Sequence, residues 1–273
     1  MWRRFKRFLR RKLPSKCFNV LWTLREWRDP LACFAFLWNS EIPISLRERW
    51  SLVKQLYLIS FNVESPHTQK EVLQFLETIL SLSDDTPGVV VEAGCFKGGS
   101  TAKVSLAADL AGRELVVFDS FQGIPKNAEP HRNNIFGGDA VFSEGDYAGS
   151  LEEVRANVRR YGKIECCRFI QGWFDDTMPE FHEKVATAYL DVDLVSSART
   201  CLRYLYPLLA PEGLLFSQDG HLPLVIGLLD DPSFWADEVG FTKPTMEGLG
   251  CSKLVRIKKP LAGKNSGSLI AAS

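Results

Sequence analysis

The chain has 273 residues, of which 45% are hydrophobic and 24% are charged, the balance of an ordinary globular protein rather than of a disordered one. It carries 33 basic and 33 acidic residues, so its formal net charge is zero. This balance argues against nucleic-acid binding. The longest apolar run near the N-terminus, Leu31 to Trp38, is too short to span a bilayer, which takes ~20 residues.

The seven cysteines indicate a reducing compartment. They form no Cys-x-x-Cys pair, and Cys166 and Cys167 are adjacent. An odd number without framework spacing is typical of free thiols, and it suggests no zinc site. The basic start is not followed directly by an apolar segment and a small-residue cleavage site, so no signal peptide is predicted. We therefore expect a cytoplasmic protein.

The first 16 residues differ in charge from the rest of the chain. They hold eight Lys or Arg and no acid, which leaves 25 basic and 33 acidic residues elsewhere, a charge of −8. Trp2, Phe5 and Leu9 have helical spacing, so the segment could lie on anionic lipid as a peripheral membrane contact. The alternative is a solvated basic tail, and a nucleic-acid-binding segment is a weaker third interpretation.

Residues 17–86 are predicted to form a helical extension. Pro30 and Pro43 interrupt the helical pattern, and a further amphipathic helix is expected to start at Ser65-Pro66. The turn at 84–88 (DDTPG) ends this part of the chain. We expect the extension to act as a lid or as the surface of a homo-oligomer.

From residue 87 to 259 strands and helices alternate, which predicts an α/β fold with a doubly wound, mostly parallel sheet. The Gly240–Lys259 segment is expected to add an antiparallel edge hairpin, and residues 260–273 a disordered tail. Strands are predicted at 88–93, 114–119, 166–171, 186–191 and 212–218, and helices at 98–111, 150–161, 176–184, 196–208 and 221–238.

The segment from Val89 to Thr101 (VVVEAGCFKGGST) predicts a cofactor site. Its glycine spacing, Gly94-x-x-x-Gly98-Gly99, differs from the GxGxxG turn of nicotinamide and flavin enzymes. Glu92 would repel a phosphate at the strand end but attract an ammonium or a sulfonium. Asp119 ends the next strand and can accept hydrogen bonds from ribose hydroxyls. These features favour S-adenosylmethionine over a dinucleotide; the alternative is a βαβ unit whose glycines serve packing only.

The same residues carry a family resemblance. Glu-x-Gly-x-x-x-Gly-Gly-Ser and the FDSFQGIP, EVRAN, GWFDDTMP and YLDVD motifs, in this order, resemble the macrocin O-methyltransferase (TylF/MycF-like) family over roughly residues 88–258. The resemblance implies a class I, Rossmann-like methyltransferase and places Gly172, Trp173 and Phe174 beside the adenine. The two aromatic residues could equally be core residues. The predicted cofactor-binding residues are Glu92, Gly94, Phe96, Gly98, Ser100, Asp119, Ser120, Gly172, Trp173 and Phe174.

Polar residues at two neighbouring strand ends predict the chemical site. Asp191 and Asp193 end one strand, and Gln218, Asp219 and His221 follow the next. Because the carboxyl ends of parallel strands meet at one sheet edge, these oxygens could hold a hard cation such as Mg²⁺. The alternative role of the two strand-end aspartates is capping of the helix predicted at 196–208.

The resemblance implies that Asp191 and Asp219 are magnesium ligands and that Asp193 is the general base. The family has an aspartate at the position of Gln218. The loss of that carboxylate implies weaker metal binding or no metal, and His221 then becomes a second candidate base. Val195 replaces a family tyrosine, which indicates a different acceptor. We expect an S-adenosylmethionine-dependent O-methyltransferase acting on a hydroxyl of a sugar or glycosylated metabolite. The alternatives are a non-catalytic S-adenosylmethionine-binding protein, a nicotinamide-dependent oxidoreductase, and a membrane-peripheral protein.

Overall fold

The computed structural model describes residues 12–261, which form two compact units. One unit contains the chain up to Ser81 together with Cys95–Arg113 and Gly149–Cys167. The other contains Leu82–Gly94, Glu114–Ala148 and the chain from Arg168 onward. Most of the predicted basic segment and nearly all of the predicted C-terminal tail lie outside the described range.

The helices of the described chain follow the sequence pattern with some changes at their ends. None of them combines the length and apolar composition needed to cross a bilayer. In chain order they are α1 (Ser15–Leu24), α2 (Asp29–Trp38), α3 (Leu46–Asn62), α4 (Gln69–Leu80), α5 (Gly99–Leu110), α6 (Leu151–Tyr161), α7 (Phe174–Thr177), α8 (Val195–Leu208) and α9 (Pro223–Asp230), with a 3-10 turn at Ile164–Cys166 and a π-helical turn at Phe234–Val239.

A mixed, mostly parallel sheet confirms the predicted fold class. Its strand order is β3-β2-β1-β4-β5-β7-β6. β1 pairs in parallel with β2 and β4, and β4 with β5, whereas β7 runs antiparallel to β5 and β6. The strands are β1 (Val89–Ala93), β2 (Leu115–Asp119), β3 (Cys167–Gln171), β4 (Val185–Leu190), β5 (Leu209–Ser217), β6 (Thr245–Glu247) and β7 (Val255–Lys258).

The sheet forms because its central strands are β-branched and apolar runs that can be buried throughout, as parallel strands require. All six residues of β4 are buried. On one face, Leu190 and Leu215 belong to a core that also includes Leu205 of α8. The Tyr206 and Trp235 rings meet edge to face there, with centroids 5.0 Å apart. This packing holds the strand ends, where the predicted site lies, at fixed positions.

The helix predicted from Ser65-Pro66 begins later, at Gln69. Thr68 caps α4 through a reciprocal pair of hydrogen bonds with Glu71. The buried Asp29 carboxylate, 40 residues away in sequence, also accepts hydrogen bonds from the backbone N–H groups of Gln69 and Lys70 at 2.9 Å. A distant acid that satisfies these N–H groups is not visible to local pattern reasoning.

Two further helix predictions are wrong in extent. The helix predicted at 176–184 is a single turn, α7, which ends at Thr177, two residues before Pro179. The helix predicted at 221–238 is divided: α9 ends at Asp230, and a π-helical turn follows from Phe234. Trp235 is fully buried there and donates its indole N–H to the Leu229 carbonyl, which fixes the break.

Lys103 of α5 is fully buried, and within the described range its ammonium has no hydrogen-bond partner. Burial lowers its pKa to about 8, although the negative charges of Asp29 and Glu71 oppose this. Between about pH 8 and 10.5 the lysine therefore keeps its proton in the unfolded chain but has lost it in the folded chain. The buried lysine thus destabilises the fold at neutral pH, and this destabilisation decreases as the pH rises.

We expect Lys103→Met to raise the free energy of unfolding at pH 7 by about 3 kcal/mol, because burial lowers the pKa of this lysine from 10.5 to about 8. The gain should shrink as pH rises from about 8 towards 10.5, because the lysine is then already neutral in the folded chain and loses its proton in the unfolded one. Urea unfolding from pH 7 to 10 measures it. Lys54→Met, at an exposed position in the same unit, is the control. Equal stability of Lys103→Met and wild type at pH 7 would contradict this account.

Candidate active site

The carboxyl ends of four neighbouring strands form one row. The register aligns Phe118 of β2 with Ala93 of β1, Ala93 with Leu190 of β4, and Leu190 with Ser217 of β5. The next residue of each strand carries the predicted chemistry, and these residues are Asp119, Gly94, Asp191 and Gln218. Backbone hydrogen bonds extend the ladder by one step: Asp191 N–H donates to the Ala93 carbonyl at 2.9 Å and Gln218 N–H to Leu190 at 2.8 Å. This edge is where ligands bind in open α/β sheets.

Three carboxylates meet at the ends of β4 and β5. One oxygen from each of Asp191, Asp193 and Asp219 lies within 4.8 Å of the others. Asp219 is 1% exposed, and its Oδ2 accepts hydrogen bonds from the backbone N–H groups of Val192 and Asp193 at 3.1 Å each. Its Oδ1 is buried and has no hydrogen-bond partner within the part of the chain that the structure describes. A buried carboxylate oxygen that accepts no hydrogen bond from the protein is a suitable ligand for a hard cation.

The protonation of this cluster follows from burial and mutual repulsion. Burial, together with the charge of Asp191, raises the pKa of Asp219 to about 8 even though two backbone N–H groups favour its ionised form. Burial and the charges of Asp219 and Asp191 raise the pKa of Asp193 well above its ordinary value. Three carboxylates this close favour either a bound cation or a shared proton.

Gln218 directly precedes Asp219 in the chain, and His221 follows it two residues later, outside the group of three carboxylates. The Tyr189 hydroxyl donates to Gln218 Oε1 at 3.0 Å, so the amide oxygen predicted to bind a metal already accepts one hydrogen bond. The His221 imidazole stacks on the Phe136 ring with centroids 6.4 Å apart. The His221 backbone carbonyl accepts a hydrogen bond from Ile135 N–H at 3.0 Å. The loop containing Ile135 and Phe136 therefore lies against the predicted second base.

Capping of α8 is performed by a residue that the sequence analysis missed. Glu129 accepts hydrogen bonds from the backbone N–H groups of Val195 and Ser196 at 2.7 and 2.9 Å, and His131 Nε2 lies 2.9 Å from its carboxylate. Burial opposes its ionisation, but these hydrogen bonds outweigh burial and lower the pKa of Glu129. The first two N–H groups of α8 are therefore capped by Glu129. Glu129 lies 66 residues before Val195, so no local signal marks it.

The strand-to-turn step after β1 requires glycine. Gly94 has φ +84°, and a Cβ there would lie 2.0 Å from the Asp191 carbonyl oxygen. Glu92, two residues earlier, is fully buried and is paired in register with Val117 and Tyr189. The strand therefore brings an acid to the predicted cofactor edge. Glycine at position 94 lets the chain turn while it passes close to the backbone of Asp191.

The turn after β2 uses both predicted polar residues for backbone hydrogen bonds. Asp119 Oδ1 accepts from Phe121 N–H at 2.7 Å. The Ser120 hydroxyl accepts from Gln122 N–H at 3.1 Å and donates to the Gly123 carbonyl at 3.3 Å. The turn therefore uses one oxygen of the Asp119 carboxylate, and it uses the Ser120 hydroxyl as both donor and acceptor.

The turn after β3 adjoins that edge. Gly172 N–H donates to the Asp119 backbone carbonyl at 3.0 Å, which places the turn beside β2. Trp173 is half-buried and precedes α7, and the Thr177 hydroxyl donates to its carbonyl. Phe174 packs against the hydrophobic core, as the alternative interpretation of this residue predicted.

The remaining predicted cofactor residues lie in the other compact unit. Phe96 and Gly98 both have positive φ, +51° and +77°, and Gly98 precedes the first residue of α5. Ser100, in the first turn of that helix, is buried. The glycine turn therefore opens a helix as the sequence predicted.

Comparison with known proteins gives a consistent family. The sequence profile of the macrocin-O-methyltransferase (TylF) family matches residues 68–225. The chain is 37% identical over 158 residues to 8-demethyl-8-(2,3-dimethoxy-alpha-L-rhamnosyl)-tetracenomycin-C 4'-O-methyltransferase of Streptomyces olivaceus, over 53% of this chain and 56% of that protein. It is 34% identical over 150 residues to mycinamicin III 3''-O-methyltransferase of Micromonospora griseorubida, over 52% of this chain and 59% of that protein. The matched region thus spans little more than half of each relative.

A solved structure supports the fold. The O-methyltransferase NovP superposes with a TM-score of 0.59 at 23% identity, covering 85% of this chain and 98% of that one. The profile match covers more than half of the chain and includes the row of strand ends and all three clustered carboxylates. The chain belongs to the macrocin-O-methyltransferase (TylF) family.

Proposed function

We propose that this protein is an S-adenosylmethionine-dependent O-methyltransferase of a small hydroxylated acceptor, a sugar or a glycosylated metabolite. The observation that carries the proposal is the three-carboxylate cluster of Asp191, Asp193 and Asp219 at the carboxyl edge of the sheet, in a chain of the TylF family. The matched relatives are by name O-methyltransferases, one acting on a rhamnosyl-tetracenomycin and the other on mycinamicin III. The same membership argues against a nicotinamide-dependent oxidoreductase.

The residues at the sheet edge fit S-adenosylmethionine, which when bound would supply a methyl group on a cationic sulfur. Glu92 brings a fully buried carboxyl group, which in its ionised form suits a cationic ligand and not a phosphate. Asp119 ends β2 at this edge, where its carboxylate can accept hydrogen bonds from ribose hydroxyls. The other residues of the proposed binding set are Gly94, Phe96, Gly98, Ser100, Ser120, Gly172, Trp173 and Phe174.

The carboxylate cluster fits Mg²⁺, which would lower the pKa of the acceptor hydroxyl and orient it. Asp191 and Asp219 are the proposed ligands, because Asp219 Oδ1 is buried without a protein hydrogen bond among the described residues. Gln218 is the weakest member of the set because Tyr189 already donates to its amide oxygen. Asp193 is the proposed general base, since proton acceptance in this charged, partly buried cluster is favoured by its raised pKa.

Chelation tests the metal proposal. Incubation with EDTA should remove most of the methyl transfer, and added Mg²⁺ should restore it. Gln218→Asp should restore activity at a lower Mg²⁺ concentration than wild type, because a carboxylate adds negative charge to the ligand set. If EDTA has no effect on either protein, the metal assignment is wrong and His221 becomes the favoured base.

The cofactor class is tested by calorimetric titration with S-adenosylhomocysteine, with NAD as the parallel ligand. We expect binding of the first and none of the second. Asp119→Asn should weaken binding about 10- to 100-fold, because it removes charge-assisted hydrogen bonds while Asn Oδ1 can still accept from Phe121 N–H. Asp237→Asn, at an exposed position, is the control. Binding of neither ligand by the wild type would reject the methyltransferase proposal.

The alternative function is that of a non-catalytic S-adenosylmethionine-binding protein. Binding of the cofactor without turnover would indicate it.

The location of the protein and the role of its N-terminal residues are also proposals. A cytoplasmic location with peripheral membrane contact through residues 1–16 is supported by the eight basic residues of that segment. The helices of residues 17–86 are proposed to serve as a lid or as a homo-oligomer surface.

A further inference from the structure

The segment from α1 to α2 has a second apolar surface besides the one that packs into its unit. Six large apolar side chains are each more than half exposed, a high fraction for eighteen consecutive residues. We name them the N-terminal apolar surface. They are Leu21, Leu24, Trp27, Leu31, Phe34 and Trp38.

Helix α2 shows that this surface is separate from the core. Cys33, Phe36 and Leu37 are buried, whereas Leu31, Phe34 and Trp38 recur at intervals of three and four residues on the opposite side. The Phe34 and Trp38 rings stack with centroids 4.7 Å apart. A ten-residue helix that is apolar on both sides needs a partner on its exposed side.

The charges around this surface specify the kind of partner. Within the described residues up to Trp38, the exposed charged residues are Lys12, Lys16, Arg25 and Arg28, all basic. The acids of the same stretch are Asp29, which is buried, and Glu26, which is half-buried. Residues 1–11 add six Lys or Arg and no acid.

Two of the basic groups lie over aromatic rings of the same segment, one of which, Trp27, belongs to the N-terminal apolar surface. The Arg25 guanidinium lies 3.3 Å from the centroid of the Trp22 ring, and the Arg28 guanidinium 5.3 Å from that of Trp27. Tryptophan beside arginine is typical of the headgroup level of membranes, where the ring is half-inserted and the cation contacts phosphate. A second copy of the chain would instead place one basic surface against another.

We propose that the N-terminal apolar surface docks on an anionic lipid bilayer, with Leu31, Phe34 and Trp38 inserted at the headgroup level and Arg25 and Arg28 on lipid phosphates. The inference is independent of the methyl-transfer proposal. It differs from contact through residues 1–16, because folded helices provide the inserted groups and the basic segment only adds attraction.

Vesicle flotation of the full chain tests the inference. Wild type should bind vesicles of equal parts phosphatidylcholine and phosphatidylserine and bind phosphatidylcholine alone much more weakly. The triple variant L31S/F34S/W38S should bind the anionic vesicles at least about tenfold more weakly, because it keeps every charge and removes inserted apolar area. The control L46S/W50S/L58S removes three exposed apolar side chains from α3, where Glu48 is also exposed, and should bind like wild type.

A spectroscopic readout separates insertion from charge attraction. The blue shift of tryptophan fluorescence on anionic vesicles should be reduced in W27F/W38F. Circular dichroism melting of L31S/F34S/W38S reports whether the variant is folded, and titration with S-adenosylhomocysteine reports whether its cofactor site is intact. These controls distinguish failure of the lipid-docking inference from failure of the methyl-transfer proposal. Unchanged vesicle binding by L31S/F34S/W38S would overturn the inference. So would a wild-type dimer in sedimentation that this variant loses, combined with no vesicle binding by either protein.

Discussion

Replacing Gly94 by alanine should weaken S-adenosylhomocysteine binding at least about 100-fold, the size of effect expected when a site is displaced by about 1 Å. The added Cβ would meet the Asp191 carbonyl oxygen at 2.0 Å, and the residue has φ +84°. Neither strand can yield without moving the row of residues that ends β1 and β4. The combined backbone strain and overpacking should lower the free energy of unfolding by roughly 2–5 kcal/mol.

Gly240→Ala is the matched control for this substitution. Gly240 has φ +80°, but a Cβ there would have no atom within 4 Å. It therefore carries the strain of positive φ without the collision, and it should leave S-adenosylhomocysteine affinity unchanged. Calorimetry and urea unfolding on both variants measure the two effects. If Gly94→Ala bound the ligand as tightly as Gly240→Ala, the close approach of β1 and β4 would not shape the cofactor site.

Asp193→Asn should lower kcat by about 10²- to 10⁴-fold, the usual contribution of a general base. Asparagine is the informative replacement because Asp193 has φ +59°, a conformation that asparagine tolerates and alanine does not. The Asp193 backbone N–H can still donate to Asp219, so the cluster keeps its geometry. Affinity for S-adenosylhomocysteine should not change, since the residue lies outside the proposed cofactor set.

The Mg²⁺ dependence of the Asp193→Asn enzyme distinguishes the role of a base from that of a ligand. A lost base leaves kcat low at every Mg²⁺ concentration, whereas a lost ligand is compensated by more metal. Asp237→Asn, at an exposed position, should retain wild-type activity. Wild-type turnover of Asp193→Asn would move the base assignment to His221, and His221→Gln would then be expected to lose activity.

The fold followed from local pattern to a large extent. Each strand predicted between residues 88 and 218 is present within three residues of its predicted ends, and the antiparallel edge hairpin is present as well. Strands of buried β-branched residues and helices with one apolar face are local properties, so a single sequence reveals them. The start of α4 was less predictable, because Asp29, which accepts hydrogen bonds from its first N–H groups, lies 40 residues earlier in the chain.

Local pattern likewise revealed some residues of the candidate site, whereas their contacts depended on tertiary structure. Gly94, Asp119, Asp191 and Gln218 could be named because each is the last residue of a predicted strand or directly follows one, and parallel strands share a carboxyl edge. The sequence alone also determined the basic character of the first 16 residues.

Only the tertiary structure decided how those residues are used. It brought Asp219 against the backbone of Val192 and Asp193, and gave the capping of α8 to Glu129 from a loop 66 residues earlier. It also left one side of α2 exposed, although both sides of that helix are apolar in sequence. The physical reason is that hydrogen-bond partners and burial depend on distances between residues far apart in the chain, which local periodicity does not encode.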